Sequence, residues 1–279
     1  MKFFKSKKTI ALLSVIIILL VLIIRHIYCV NSAFYEVEYE KNDISDLIRA
    51  EKLSDKDYEV IFKNTGVAPG AAKDIIKNKD YELLDKLNDM YFEQPQIVKV
   101  YIASPVTVEE RVAKEKTPLV PLKKGDILIT FNTHTLEWRH GHCGLVLTEN
   151  NEKILEHTSI GNTSCINFAS SWGKYPGFVV LRHKDPTVGE KAADYASKHL
   201  IDIEYSLFAG ITDKDMSDND KIDSHCAHIV WQAYKAAGKD IDKDGGIIVT
   251  PNDIATCKDL EVVQIYGIDP EDYSDRILR

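Results

Sequence analysis

A thiol and an imidazole brought together can break an acyl bond, and this chain has one stretch suited to each group. In SHCAHIVWQAY, residues 224–234, Cys226 stands where the pattern starts a helix, with Ser224 as its N-cap candidate. A cysteine in the first turn meets unpaired N–H groups and the positive end of the helix dipole, which favour a thiolate. Ile229, Val230, Ala233 and Ala237 form a helical stripe that would bury against a sheet. The competing reading is a small hydrophobe buried at a helix start, a common fate for a free cysteine. A nucleophile needs a base, and RHGHCGLVL supplies His140 and His142. His142 stands at the mouth of a strand, followed by Gly144, where a missing side chain leaves room for a substrate or a helix. Cys143 points to the opposite face from His142 and reads as packing.

A third polar group would hold the imidazole, and KILEHTS offers Glu156 and His157. Strand alternation puts these two on opposite faces, so the hairpin register decides which one joins His142. A two-residue turn at Asn150 and Asn151 favours His157, whereas an odd-length loop or a bulge favours Glu156.

The elements that must position these groups follow from periodicity. DILITF, CGLVLT, KILEHTS and GFVVLRH are short aliphatic runs separated by turn chemistry, which predicts four strands. DPTVGEKAADYASKHL and DSHCAHIVWQAYKAAG predict two later helices, the second stopping at Gly238. Strands first and a cysteine-bearing helix afterwards predict an α+β unit over residues 118–279. Residues 31–117 read as a polar, helical stalk or cap. NDISDLIRAEKL is one helical segment, and SDKDYEVIFKNTG is another, capped by Ser54 and stopped at Gly66. EKTPLVPLKKGD marks the boundary into the next unit. Residues 1–30 carry four lysines and an apolar run from Ile10 to Ile24, which predicts an uncleaved transmembrane anchor. The positive-inside bias then places the N-terminus in the cytoplasm and the rest outside, held to the membrane by that helix. A cleaved signal, with VNSA as the best cleavage site, is the alternative.

Composition removes several function classes. An apolar share of 44% with 28% charged residues fits a globular core. A net charge of −8 with no basic cluster argues against nucleic-acid binding. Five irregularly spaced cysteines make no disulfide framework, and Cys29, Cys165 and Cys257 have no partner pattern. His134, His140, His142, Cys143 and His157 are neighbours in sequence, but no metal knuckle spacing joins them. DIDKDGGI, residues 240–247, opens like a calcium loop and then has Pro251 where glutamate is needed, so it reads as a solvated turn. TDKDMSDNDKID reads as a polar loop over the cleft. No metal and no cofactor are expected.

The order GDILIT, GHCGLVL, KILEHTS, YSLFAG, SHCAHIVWQAY, TPNDIA resembles the circularly permuted NlpC-type cysteine hydrolases of the papain-like clan, especially the YiiX-like branch. The resemblance covers roughly Leu119 to Ala255. It implies an antiparallel sheet packed against helices, with Cys226 as nucleophile, His142 as general base and Glu156 as the group that orients it. Tyr205 falls where the family often has a tyrosine, and with His157 it is a substrate-pocket candidate; Tyr205 is also an oxyanion candidate. Ala227 and His228 stand where the family often has a small or hydroxyl residue and then an acidic one. The implied activity is a thiol hydrolase on amide bonds of bacterial cell-wall peptidoglycan stem peptides. A lipid-directed acyltransferase or esterase, and an inactive wall-binding module, are the alternatives.

Overall fold

The computed structural model describes residues 7–28, 34–103, 106–135, 138–149, 151–210 and 223–279. Cys29, the VNSA stretch, Asn150 and nearly all of the acidic loop lie outside the described residues. The first helix, α1, spans Lys7–Tyr28. Among the described residues no helix is long and apolar enough to cross a membrane. That overturns the expected transmembrane anchor, and the membrane-held placement inferred from it. The apolar run, Ile10 to Ile24 with Ser14 inside it, is 15 residues between Lys8 and Arg25. At ~1.5 Å per residue it reaches roughly 22 Å, short of a hydrocarbon core of about 30 Å.

The rest is α+β, built on antiparallel sheets. Helices α2 (Asp55–Thr65), α3 (Pro69–Lys77) and α4 (Tyr81–Tyr91) come first. Ser54 and Asp57 close a capping box on α2, and Gly66 ends it at φ 70°. A side chain at Gly66 would run into the Ile265 carbonyl oxygen, because the chain there lies directly against a strand. NDISDLIRAEKL, expected as a helix, forms only a 3₁₀ turn at Leu47–Arg49, with Ile44 and Ile48 buried.

Strands β1 (Gln96–Ala103) and β2 (Val106–Val112) follow, within a region whose pattern reads as helical. The alternation of β2 is hidden by charge: Glu109 and Arg111 are buried, each through a partner of opposite sign. With β4 (Thr133–Thr135) and β5 (Trp138–Arg139) they make a four-stranded sheet in the order β1-β2-β4-β5.

The larger sheet contains β3 (Ile127–Thr130), β6 (His142–Val146), β7 (Lys153–Glu156), β8 (Cys165–Phe168), β9 (Phe178–His183) and β10 (Leu260–Tyr266). Its order is β10-β9-β3-β6-β7-β8, antiparallel throughout. Helices α5 (Pro186–His199) and α6 (Cys226–Ala236) pack on one face, and the short α7 (Pro251–Ala255) follows. Ile127, Ile129, Cys143 and Leu145 point to that face, into a core shared with Ala192, Ile229 and Ala233. Leu128, Val146, Ile154 and Val180 point to the other face, into a core shared with Ile61, Ala72, Leu84 and Leu87. Covered on both faces, the central strands are continuous apolar runs; every residue of β3 is buried.

Candidate functional site

Cys226 is the first residue of α6, and the cap is His225 rather than the expected Ser224. The His225 Nδ1 accepts from the His228 N–H at 3.4 Å. Ser224 is committed elsewhere: its backbone bridges Tyr205, and its hydroxyl lies 3.1 Å from His228 Nδ1. The α6 tip is thereby tied to the chain just before it.

His142 is the first residue of β6 and is buried. Its Nε2 lies 3.0 Å from Glu156 Oε1, which leaves Nδ1 as the nitrogen available to Cys226. Hairpin parity explains why Glu156 fills this place. Gly144 faces Glu156, Leu147 N–H donates to Lys153 O, and five residues lie between Leu147 and Lys153. The loop is odd, so Glu156 shares a face with His142 and His157 does not. Asn167, on β8, donates to the other Glu156 oxygen at 2.8 Å. Trp172 stacks on the His142 ring at 5.4 Å and an interplanar angle of 15°. Gly144 serves packing rather than substrate entry: an added side chain would come within 2.7 Å of Ile154 Cδ1.

Three side chains act on the Cys226 thiol: the Cys143 thiol, the His142 ring and the His225 ring. Cys143 therefore does more than pack. Its hydrogen bond, followed by those of His142 and His225, outweighs burial and holds the Cys226 thiol well below its ordinary range. Burial alone would lower His142, but hydrogen bonds to Cys226 and Glu156, and the charge of both, push it up to about 10. Cys143 moves the other way, raised by burial and by the neighbouring negative charge. The two shifts run in opposite directions, the thiol down and the imidazole up, because each charged form favours the other.

His157 and Tyr205 sit on the α6 side of the site. Their rings meet edge to face at 4.8 Å, and His157 Nε2 lies 3.3 Å from the Asn162 carbonyl. Burial lowers His157, with Cys226 acting against it; burial and then Cys226 raise Tyr205. Both therefore border the nucleophile without holding His142. His140 is engaged at both ring nitrogens: Nδ1 donates to Gly141 O at 2.8 Å, so Nε2 accepts from the Thr135 hydroxyl at 2.9 Å. It offers no free lone pair to a thiol.

The histidines that are neighbours in sequence do not converge on one point. His134 pairs with Glu109, His140 with Thr135, and His157 with Asn162. Asp242, Asp244 and Asp253 bring oxygens within 4.8 Å of one another. Asp253, however, already forms a capping box with Thr250, and Asp240 binds Trp231 and Lys235.

Sequence reasoning missed Trp172, Asn167 and His225. His225 adjoins the nucleophile in sequence, which is a signal for it; Trp172 and Asn167 come from a 3₁₀ turn and a largely exposed strand whose local patterns carry no signal. No protein family, curated protein or solved structure matches the chain.

Proposed function

We propose that this chain is a cysteine hydrolase of the permuted papain-like kind, cleaving an amide bond through a thioester on Cys226. The observation that carries the reading is the buried series Cys226, His142, Glu156, with the thiol lowered and the imidazole raised to about 10. The thiolate attacks the carbonyl carbon, and the oxyanion is held at the tip of α6, where the first-turn N–H groups have no acceptor in the helix ladder. His142, donating through Nδ1, protonates the departing amine as the C–N bond breaks. The neutral ring then takes a proton from water, the hydroxide attacks the thioester, and the acid leaves with Cys226 again a thiolate. Glu156 fixes the ring and balances its charge throughout.

Stem peptides of peptidoglycan are the substrate class implied by the family resemblance. Digestion of muropeptides by the full chain, compared with Cys226→Ala, tests this reading. New amine and carboxyl ends from the wild type alone support it. Cleavage by both proteins, or by neither, removes it, and lipid release dependent on Cys226 would move the substrate class to acyl lipids.

A further inference from the structure

A single hydrogen bond leaves an imidazole free to swing. His142 is tied to Glu156 through Nε2 at 3.0 Å, and rotation about that axis would carry Nδ1 away from Cys226. The flat face of Trp172 closes that freedom: its ring lies 5.4 Å from the His142 ring, centre to centre, at an interplanar angle of 15°. That separation is inside the ~6 Å over which an aromatic face attracts a cation, and indole is the strongest of those faces. Trp172 is itself fixed. It is wholly buried in the 3₁₀ turn Ala169–Lys174, with the Tyr175 ring edge-on to it at 5.3 Å. The carbonyl of the next residue, Gly173, accepts from the Thr117 N–H at 2.9 Å, and a side chain at Gly173 would come within 2.1 Å of the Thr117 carbonyl oxygen. The indole Nε1–H is enclosed and reaches no acceptor among the described residues. A buried tryptophan ordinarily pairs that N–H, as Trp231 does with Asp240 at 2.9 Å, and a phenylalanine would fill a flat stack with no donor to satisfy. What indole adds over phenyl is the stronger face, and that face is turned to His142.

We infer that Trp172 is a positioning residue, its indole face holding the plane of the His142 ring and favouring the protonated form of that ring. The assignment rests on the reading of His142 as the acid–base partner of Cys226. With Nε2 at Glu156 and the plane fixed, Nδ1 stays available to the nucleophile, and the indole stabilises the ring more while it is charged than after it gives up its proton. The stack of His228 on Trp231 shows that such a face does not charge a ring unaided: at 5.3 Å and 28° the geometry is similar, yet burial pushes His228 down to about 3. Besides the indole, the groups that act on His142 are Cys226 on α6 and Glu156 on β7, and it exchanges charge effects with His140 just before β6 and His157 just after β7. Substitution at Trp172 removes none of these groups, so a shift in His142 reads the indole.

Titration of His142 in the full chain, followed by NMR at its ring protons, separates a held cation from a filled space. Trp172→Leu removes the π face and should lower the His142 midpoint by on the order of one pH unit; Trp172→Phe, with a weaker face, should lower it by about half as much. In a muropeptide digest the alkaline limb should move down by the same steps, and kcat should fall about tenfold in the leucine variant with KM within about twofold. The phenylalanine variant should recover most of that loss. Uniform 5-fluorotryptophan keeps the shape of every indole while weakening its face. It should lower the midpoint by roughly a few tenths of a pH unit and leave His228 neutral, and it decides the matter should either variant fold poorly. A midpoint that stays put in the folded leucine variant or the fluorinated protein, or that falls equally with leucine and phenylalanine, overturns the assignment. The midpoint needs no substrate: graded midpoints in a chain that digests no muropeptide overturn the hydrolase reading alone, and an unmoved midpoint in an active chain overturns the hold of Trp172 alone.

Discussion

Glu156 and Glu109 each meet a histidine at hydrogen-bond distance inside the protein, 3.0 Å to His142 and 3.1 Å to His134. All four side chains are buried. The outcomes are opposite: His142 is raised to about 10, whereas His134 is lowered. The difference starts at the ring, where the Cys226 hydrogen bond is the largest effect raising His142, and continues in the second partner of each carboxylate. Glu109 takes a bidentate pair from Arg139, at 2.6 and 3.0 Å, and an amide from Asn132 at 2.9 Å. Although burial works against it, that cationic fork holds the Glu109 carboxyl below its usual range, and Arg139 and Lys99 then help burial keep the His134 proton off. Among the described residues Glu156 has the neutral amide of Asn167 besides its histidine and no cation, so its charge is left to act on the ring. Cys226 adds a second negative group to His142, and among the described residues nothing comparable acts on His134. A buried histidine–carboxylate pair is thus a structural clamp or a reactive pair according to what else the carboxylate and the ring must satisfy.

The contrast breaks most completely at the sulfur. Cys226→Ala should reduce hydrolysis by at least about 10⁴-fold, since the nucleophile is lost. The same variant should move the NMR-detected titration of His142 downward from about 10, because the hydrogen bond and charge of Cys226 both raise it. His134 should titrate as before. An unmoved His142 would mean that Glu156 alone sets it. In the wild type, the pH profile should rise as Cys226 ionises well below pH 9 and fall as His142 loses its proton near pH 10, because both the thiolate and the imidazolium are needed. A single limb with no alkaline fall would count against His142 as the acid.

The two glutamates can then be exchanged for glutamine in turn. Glu156→Gln keeps the shape but removes the charge that balances the imidazolium, and kcat should drop roughly 10²–10⁴-fold. Glu109→Gln should leave kcat within about threefold at a temperature where the protein is folded, while costing about 3 kcal/mol of stability because Arg139 loses its buried counter-charge. Kinetics paired with urea unfolding read both quantities. If Glu109→Gln lowers kcat as much as Glu156→Gln does, the smaller sheet belongs to the site and the distinction fails.

Which parts of this were open to the sequence follows from how local each determinant is. Cys226 and His142 stand at the starts of elements whose punctuation is written nearby, an apolar stripe after one and a strand after the other. Glu156 depended on the parity of a hairpin loop; the Asn-Asn pair suggests a tight turn, and the backbone takes five residues instead. The cap of α6 went to His225 because Ser224, the better capping residue by propensity, has its backbone bridged to Tyr205 and its hydroxyl at His228. Strands β1 and β2 have a pattern that reads as helical because Glu109 and Arg111 are charged yet buried, which their partners Arg139 and Glu93 make tolerable. The N-terminal run shows the opposite case: its local apolarity suggests a span, and among the described residues no helix is long and apolar enough to make one. Trp172 and Asn167 reach His142 and Glu156 only through tertiary packing, so no window of sequence contains the reason for them.

The smallest effect concerns Cys143, the residue on the α6 side of β6 whose thiol faces the nucleophile. Its S–H is the leading contribution to the lowered Cys226 thiol, ahead of both histidines. A thiol is a weak donor, but in a buried site a donor aimed at a forming anion is worth more than it would be in water. Cys143→Ala removes that donor with a modest change of volume, so the midpoint of Cys226 alkylation should move upward while staying below that of an ordinary cysteine, since His142 and His225 remain. His134, on which no thiol acts among the groups that shift it, should be indifferent to the change. The pH dependence of iodoacetamide labelling, followed peptide by peptide, measures the shift. A midpoint that does not move would assign the thiolate to His142 and His225 alone, and would make Cys143 a packing residue as its strand position first suggests.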